Sequence, residues 1–459
     1  MKPLDLVLTV LVGVVVLPGV PRGAAANERP GGLKLPAVSG DQPAVVTVTL
    51  ADAVDRGVKA SHRLAELRAR EAGARATVQG RDAADRPQFS VQAGYMRTNH
   101  ITPFGLTVPG RTFEAIYPDV PDNYRTRLDL QWPIYTFGRT GALEAAAQAE
   151  LQATGKDLEA AQNDLRLEIT RAFWALVTAN ESVRVVAESL KRMDASLEDA
   201  RNRLKVGLVP PNDVLSVEAQ RSRQQMLLIQ ARNLRDQATA DLARLVGLDG
   251  GALVEPQAAL EEAGAPVPAV EPLLAEARKA RPDRQALAVR ASGAGERLAA
   301  AEAGRKPVLA VAGGFDYARP NPRIFPRAAE WHTSWDAGVS FTWLLWDGGR
   351  VAADIGEATA TRQAANERLA EFDRQLEVEV RQRALDLESA RAAIAAANDA
   401  VRAATEAQRV VGDRYAAGVA TTTDVLDAQV ALLQAGLDRT QALANARLAE
   451  ARLDRAIGR

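Results

Sequence analysis

The chain has 459 residues, of which 47% are hydrophobic and 25% charged, with a net charge of −1 and no cysteine. A near-neutral chain lacks the basic surface that phosphate binding needs, which argues against nucleic acid as a partner. The absence of cysteine excludes disulfides, thiolate metal sites, cysteine nucleophiles and a lipidated N-terminal Cys, and it fits an oxidising compartment.

Residues 1–26 read as a secretory signal. Lys2 supplies the basic start, Leu6 to Leu17 is an apolar run, and Ala24-Ala25-Ala26 offers a cleavage site. The other reading is an N-terminal anchor, but the run is shorter than the about 20 apolar residues a span needs. No later segment approaches that length, so any insertion into a membrane must use strands. Residues 27–49 hold Pro30, Gly31, Gly32, Pro36, Gly40 and Pro43 and read as an extended arm.

Helical spacing predicts a helix over 52–85 that stops before Pro87, because the residue before a proline is pushed towards extended geometry. The period then changes to two. Phe89, Val91, Ala93 and Tyr95 alternate with Ser90, Gln92, Gly94 and Met96. After a loop rich in Pro and Gly, Tyr124, Thr126, Leu128, Leu130 and Trp132 alternate with Arg125, Arg127, Asp129 and Gln131. One face is apolar and aromatic, the other charged. Each run has about the 9–11 residues of a tilted membrane strand.

Residues 140–206 contain no proline and follow heptads. Leu165, Ala172, Ala179, Val186, Met193 and Ala200 form one series; Ile169, Leu176, Val183, Leu190, Leu197 and Leu204 form the other. Gly207 and Pro210-Pro211 end the helix, and a second one starts at Asn212 or Asp213 as the cap and runs to about Val246.

The pattern then repeats. Arg139 aligns with Arg350, 211 residues on, and the same offset pairs Gly138 with Gly349, Glu168 with Glu379, Arg203 with Arg414, Gly207 with Gly418, Asp213 with Asp424 and Gly247 with Gly458. Upstream the offset is 220, pairing Lys59 with Lys279, Arg70 with Arg290 and Pro87 with Pro307. Strands are expected at 307–317 and 334–345, with Trp335, Ala337, Val339, Phe341 and Trp343 on one face. An offset held through both periods marks a tandem duplication: a first repeat over 50–250, a linker over 251–271 and a second repeat over 272–459.

The expected fold is therefore mainly α with membrane β-strands, internally duplicated. Four strands cannot close a barrel, and open edges are not tolerated in lipid. A dimer would supply eight strands with little lumen, a trimer twelve. Five of the six tryptophans, Trp132, Trp331, Trp335, Trp343 and Trp346, fall in or beside the expected strands, as an interfacial girdle would place them; only Trp174 lies in a long helix. The lengths also suggest end-to-end stacking, with 213–246 on 272–304 and 424–457 on 52–85.

Two segments carry a family resemblance: Arg203-Leu-Lys-Val-Gly-Leu-Val-Pro-Pro-Asn-Asp-Val-Leu215 and Arg414-Tyr-Ala-Ala-Gly-Val-Ala-Thr-Thr-Thr-Asp-Val-Leu-Asp427. With the turns Trp132–Arg139 and Trp343–Arg350 they resemble the TolC-like outer-membrane efflux proteins over about residues 50–458. The resemblance implies a homotrimer with a 12-strand barrel in outer-membrane lipid and an α-helical tunnel into the periplasm. It implies a passive conduit gated at its periplasmic tip, serving efflux or type I secretion. Its partners would be a periplasmic adaptor and an inner-membrane pump.

The resemblance also places Asp424 and Asp427 in a carboxylate ring at the pore constriction. Residues three apart share a helix face, and such a ring would favour cations. Asp424 has a second reading as a helix N-cap. Asp213 and Tyr415 match latch positions, although Ala420 stands where the family has a basic partner. Gly207, Leu208, Val209, Gly418 and Val419 match adaptor-contact tips, and the glycines also suit a plain helix–helix turn.

No P-loop, nucleophile elbow or HExxH is present, and His62, His100 and His332 are scattered, so neither enzyme activity nor a cofactor or metal site is expected. Two other readings compete with the channel: a periplasmic coiled-coil scaffold and an adaptor protein.

Overall fold

The computed structural model describes residues 45–106, 109–110, 114–248, 253–261 and 268–459. The expected signal peptide and residues 27–44 of the expected extended arm lie outside them. The first repeat comprises β1 (Val45–Val48), α1 (Leu50–Ala60), α2 (His62–Asp82), β2 (Gln88–Arg97), β3 (Phe104–Leu106), β4 (Glu114–Tyr117), β5 (Asp122–Tyr135), α3 (Arg139–Lys205) and α4 (Pro211–Leu245). The second comprises β6 (Leu253–Pro256), α5 (Val270–Ala280), α6 (Pro282–Glu302), β7 (Val308–Arg319), β8 (His332–Thr342), α7 (Arg350–Ala416) and α8 (Thr422–Ile457). At 1.5 Å per residue α3 and α7 are each about 100 Å long. Among the described residues no helix is long and apolar enough to cross a membrane.

Heptad residues do form the helix contacts. Leu165, Ile169 and Leu176 lie in one buried cluster with α1 and the end of α4, and Met193, Leu197 and Ala200 pack on Val214 and Val217 near the tip. The helix expected over 52–85 is in fact two. The Ser61 hydroxyl accepts from the Leu64 amide at 3.3 Å and starts a new helix inside the apolar pattern. The second repeat breaks at the matching position, Arg281, where Pro282 takes the first helical position and needs no amide donor. The cap expected at Asn212 or Asp213 is also displaced: Pro210 is the N-cap and Pro211 starts α4, with no side-chain cap. A proline at the first helical position is pre-shaped for the helix and overrides the preference for Asn or Asp two residues later.

The stacking of short helices differs from that expected. Near the strands α3 is flanked by α2 and α6, and near the tip by α4 and α8. Gly247, just past α4, sits so close to Ala60 that an added Cβ would lie 2.4 Å from the Ala60 Cβ. Gly458, just past α8, meets the backbone of Ala280 and Arg281 in the same way. So α4 abuts the α1–α2 break and α8 the α5–α6 break, each pairing within its own repeat. Helix lengths alone fit either pairing. The close glycine seat decides it, since a residue without Cβ takes the left-handed cap without strain and lets the backbone of the break approach.

β2, β5, β7 and β8 form one antiparallel sheet in that order, leaving β2 and β8 as free edges. β5 pairs with β7 and so joins the repeats: Leu128 faces Phe315 and Trp132 faces Val311. The register keeps the aromatic residues and most large apolar ones on one face. Phe89, Val91, Trp335, Val339 and Phe341 are more than half exposed there. Trp132 and Trp343, equivalent in the duplication, each donate their indole N–H at 3.0 Å to a carbonyl before the strand hairpin, of Asp85 and Arg305. On the opposite face the Arg127 guanidinium bonds Asp129 at 2.6 Å, Asp316 at 2.5 Å and Asp336 at 3.0 Å, tying three strands together. Gly314 makes room for it.

Gly247→Ala is expected to destabilise the fold by about 1–3 kcal/mol, combining left-handed strain with the Ala60 contact. Gly73, on an open face of α2, has nothing within 4 Å of its would-be Cβ. Gly73→Ala should therefore stabilise by up to about 1 kcal/mol. Thermal unfolding in detergent checks both; a Gly247→Ala protein as stable as the parent would contradict the seat.

Candidate functional site

The ends of the two helical hairpins have the same backbone. At the first, Gly207 (φ 74°) follows α3; its amide donates to the Leu204 carbonyl at 3.0 Å and the Leu208 amide to that of Arg203 at 2.9 Å. At the second, Gly418 (φ 74°) follows α7; Gly418 donates to Tyr415 at 3.1 Å and Val419 to Arg414 at 2.9 Å. Both are glycine-terminated helix ends that return the chain into α4 and α8. The apolar residue after each glycine usually folds back onto its helix, but Leu208 and Val419 are 71% and 63% exposed.

Where the backbones agree, the side chains part. Thr422, at the start of α8, is buried and donates its hydroxyl to the Asp213 carboxylate of α4 at 2.8 Å. The Tyr415 hydroxyl lies 3.5 Å from the same Thr422 oxygen. The Arg203 guanidinium sits over the Tyr415 ring, 4.3 Å from its centroid, and donates to the Tyr415 carbonyl at 3.3 Å. Further in, Gln429 of α8 donates to Ser196 of α3 at 2.8 Å. The structure thus brings Asp213 and Tyr415 together through Thr422, and the first hairpin is bonded to the second at several points. A hydrogen bond to a charged group is worth about 1.5–3 kcal/mol, and partial exposure places the Thr422–Asp213 bond towards the lower figure.

Sequence reading missed Arg203, Thr422 and Gln429 as contacts. A signal was present: Tyr415, Thr422 and Gln429 stand where the first repeat has Leu204, Pro211 and Glu218. At two of these, Tyr for Leu and Thr for Pro, the second tip gains a polar group where it meets the first.

Asp424 is not the N-cap of α8. Thr421 is, and Asp424 completes a capping box: the Asp424 amide donates to the Thr421 hydroxyl at 3.2 Å, while the Thr421 amide and hydroxyl donate to Asp424 Oδ2 at 2.8 Å each. The Thr421 backbone bond, then its side-chain bond, hold the Asp424 carboxyl below the usual carboxylate range, with Arg414 adding to the effect. Asp427, three residues along α8, is exposed.

Residues 55–248 and 273–459, covering both repeats, match the family described as outer membrane efflux protein. The chain belongs to that family. It is similar to the outer membrane protein TolC of Vibrio cholerae, at 22% identity over 74% of this chain and 78% of that protein. It also resembles protein CyaE of Bordetella pertussis, at 28% identity over 26% of this chain and 25% of that protein. Among solved structures, the outer membrane protein VceC of Vibrio cholerae superposes with a TM-score of 0.75, at 22% identity over 89% of this chain and 96% of that one. A membrane protein of Pseudomonas aeruginosa superposes with a TM-score of 0.76, at 21% identity over 95% of this chain and 99% of that one. The family places the chain in the outer membrane as an efflux channel component that extends into the periplasm.

The capping box predicts a pH response. A carboxyl whose folded pKa is depressed contributes stability above its unfolded pKa and loses it as pH falls through the folded value. Hydrogen exchange at the Thr421 amide, corrected for intrinsic rate, should stay protected at neutral pH and lose protection only below the usual carboxylate range. Thr421→Ala should move that loss to higher pH. Protection independent of pH would contradict the box.

Proposed function

We propose that three copies of this chain form a passive conduit, with a 12-strand barrel in the outer membrane and a gate at the helical tip, working in efflux or type I secretion. One observation carries the reading: a four-stranded sheet with an exposed aromatic face, a charged opposite face and two free edges. In lipid every backbone polar group needs a partner, so β2 and β8 must pair with other copies. Charged residues on the far face would then line water, as in outer-membrane barrels.

The twofold repeat supplies the helical wall, and the tip supplies the gate. The carboxylates of Asp424 and Asp427 from three chains would ring the axis. Both capping bonds to Asp424 use Oδ2, so the cap does not occupy Oδ1. Cap and pore roles are therefore compatible. A ring of carboxylates favours cations and can hold a blocking multivalent cation. Asp213 and Tyr415, joined by Thr422, act as the latch between hairpins. Arg203 supplies from the first hairpin the cation that Ala420 does not supply from the second. Gly207, Leu208, Val209, Gly418 and Val419 present the apolar end that a periplasmic adaptor would cover, and an inner-membrane pump supplies the energy.

Purified protein in planar bilayers is expected to form cation-selective channels, and Asp424→Ala with Asp427→Ala should lower that selectivity. Unchanged selectivity would remove both residues from the pore, and a protein that does not conduct would contradict the function. Thr422→Val with Tyr415→Phe removes the latch bonds with little change of shape. That variant should raise the open fraction of single channels, by roughly tenfold for each 1.4 kcal/mol lost. An unaltered open fraction would mean that these bonds do not hold the gate.

A further inference from the structure

Trp174, the one tryptophan set in a long helix, borders a hollow of about 390 Å³ between α3, α4 and α8. Its apolar walls are Trp174 and Ala175 of α3, Leu234 and Ala238 of α4, and Leu448 of α8. An engineered cavity of about 150 Å³ holds benzene, so this one accommodates a two-ring body. The hollow is open to solvent: Arg171, Ala175, Leu234, Gln441 and Asn445 are all exposed.

Its charge is one-sided. Arg171 is the only lining residue that ionises. Among the described residues the Arg171 side chain has no ion pair or hydrogen bond. Glu168, one turn earlier on α3, pairs instead with Arg63 at 3.4 Å. A second cation stands by the ring: the Arg447 guanidinium, 3.8 Å from Glu450, lies 5.5 Å from the Trp174 ring centroid. The remaining polar groups are neutral. The Thr178 and Ser182 hydroxyls donate to the carbonyls of Trp174 at 2.6 Å and Thr178 at 2.9 Å. The Gln441 amide donates to Asn445 Oδ1 at 2.8 Å, which leaves the Asn445 N–H groups for a ligand. A free guanidinium takes a carboxylate or sulfonate through paired N–H donors, and an indole offers a large flat apolar surface.

We propose that this hollow is a binding site for an aromatic organic anion. The anionic head pairs with Arg171, Asn445 offers a further donor, and the rings pack between Trp174, Leu234 and Leu448. Gln441 and Leu448 stand two and three heptads after Asp427 on α8 and so share its face of the helix. Leu443 and Ala446, half a rotation away, pack with Leu260 of the linker. In the trimer proposed above Asp427 faces the conduit, so the hollow opens into the conduit and holds the anion against its wall. Only this placement rests on the channel reading; the charge and the apolar walls belong to the single chain.

The test is calorimetric titration of the full-length protein in non-ionic detergent at low ionic strength, where an exposed cation is least screened. The probes are sodium naphthalenesulfonate and, with the opposite charge, naphthylmethylammonium chloride. Saturable binding of the sulfonate and weaker binding of the ammonium are expected. Arg171→Gln should weaken the sulfonate at least about tenfold, because a bond to a charged donor is lost. Arg171→Lys keeps the charge and should stay closer to the parent, which separates loss of the site from loss of fold. Arg171→Glu should reverse the preference between the two probes, and Ala175→Phe, which fills the hollow, should abolish binding of the sulfonate. The proposal is overturned if the sulfonate does not saturate, if the parent binds the ammonium as tightly, or if Arg171→Gln or Ala175→Phe binds like the parent. Binding needs no conduction. A protein that conducts but does not bind therefore refutes this site alone, and one that binds but does not conduct refutes the channel reading alone.

Discussion

The backbone edges of β2 and β8 are the constraint from which the rest follows. Each edge presents a row of amides and carbonyls, and hydrocarbon offers them no partner, at a cost of several kcal/mol for each unsatisfied group. A sheet whose outer face carries Phe89, Trp335 and Phe341 belongs in lipid, yet it cannot stand there alone. The inner face resolves its own charges, with Arg127 bonded to carboxylates from three strands. Charge pairing fixes the sheet within one chain, and in the barrel we propose other chains satisfy its edges. The long helices follow these strands through the turns at Gly138 and Gly349.

Duplication then sets what is shared and what is free to differ. Backbone geometry is shared. Both helix breaks fall at matching positions, both tips close with the same glycine, and both short helices abut the break of their own repeat. Side chains at the tips differ. Asp213 is half-buried and accepts from Thr422, while its counterpart Asp424 is exposed and closes a capping box. The breaks differ too. Ser61 caps its helix with a hydroxyl, whereas buried Arg281 bonds Asp283 at 2.5 Å, Glu379 at 2.7 Å and the Ala456 carbonyl at 3.2 Å. Burial disfavours the charged form of Arg281, but the Asp283 and Glu379 carboxylates outweigh it and hold the guanidinium charged.

Much of this architecture was legible in the sequence, because period and breakpoints are local. Long runs of heptads, the alternation of Phe89 to Tyr95, and Gly207 and Gly418 each report a backbone state that depends on few neighbours. What was not legible depends on contacts across the chain. Ser61 reads as an ordinary helix residue until the packing of Leu64 and the approach of Gly247 to Ala60 are known. Helix lengths could not decide which short helix abuts which. Thr422 and Arg203 became parts of the tip only when α3 and α8 were placed side by side. Asp424 was readable as a capping residue by type, but its place at the third helical position, behind Thr421, required the structure.

The central claim is that the free edges of this sheet pair with those of other copies and that the ring closes at three chains. The chain has no cysteine, so introduced ones report without interference. Cysteines placed on β2 and β8, beginning with Ser90→Cys and Ser340→Cys and moved along the strands to find the register, should form disulfides between chains in native membranes. Non-reducing electrophoresis is predicted to show species of one, two and three chains and nothing larger. A ladder that stops at two chains or continues past three, or no cross-link at any register, would contradict the account.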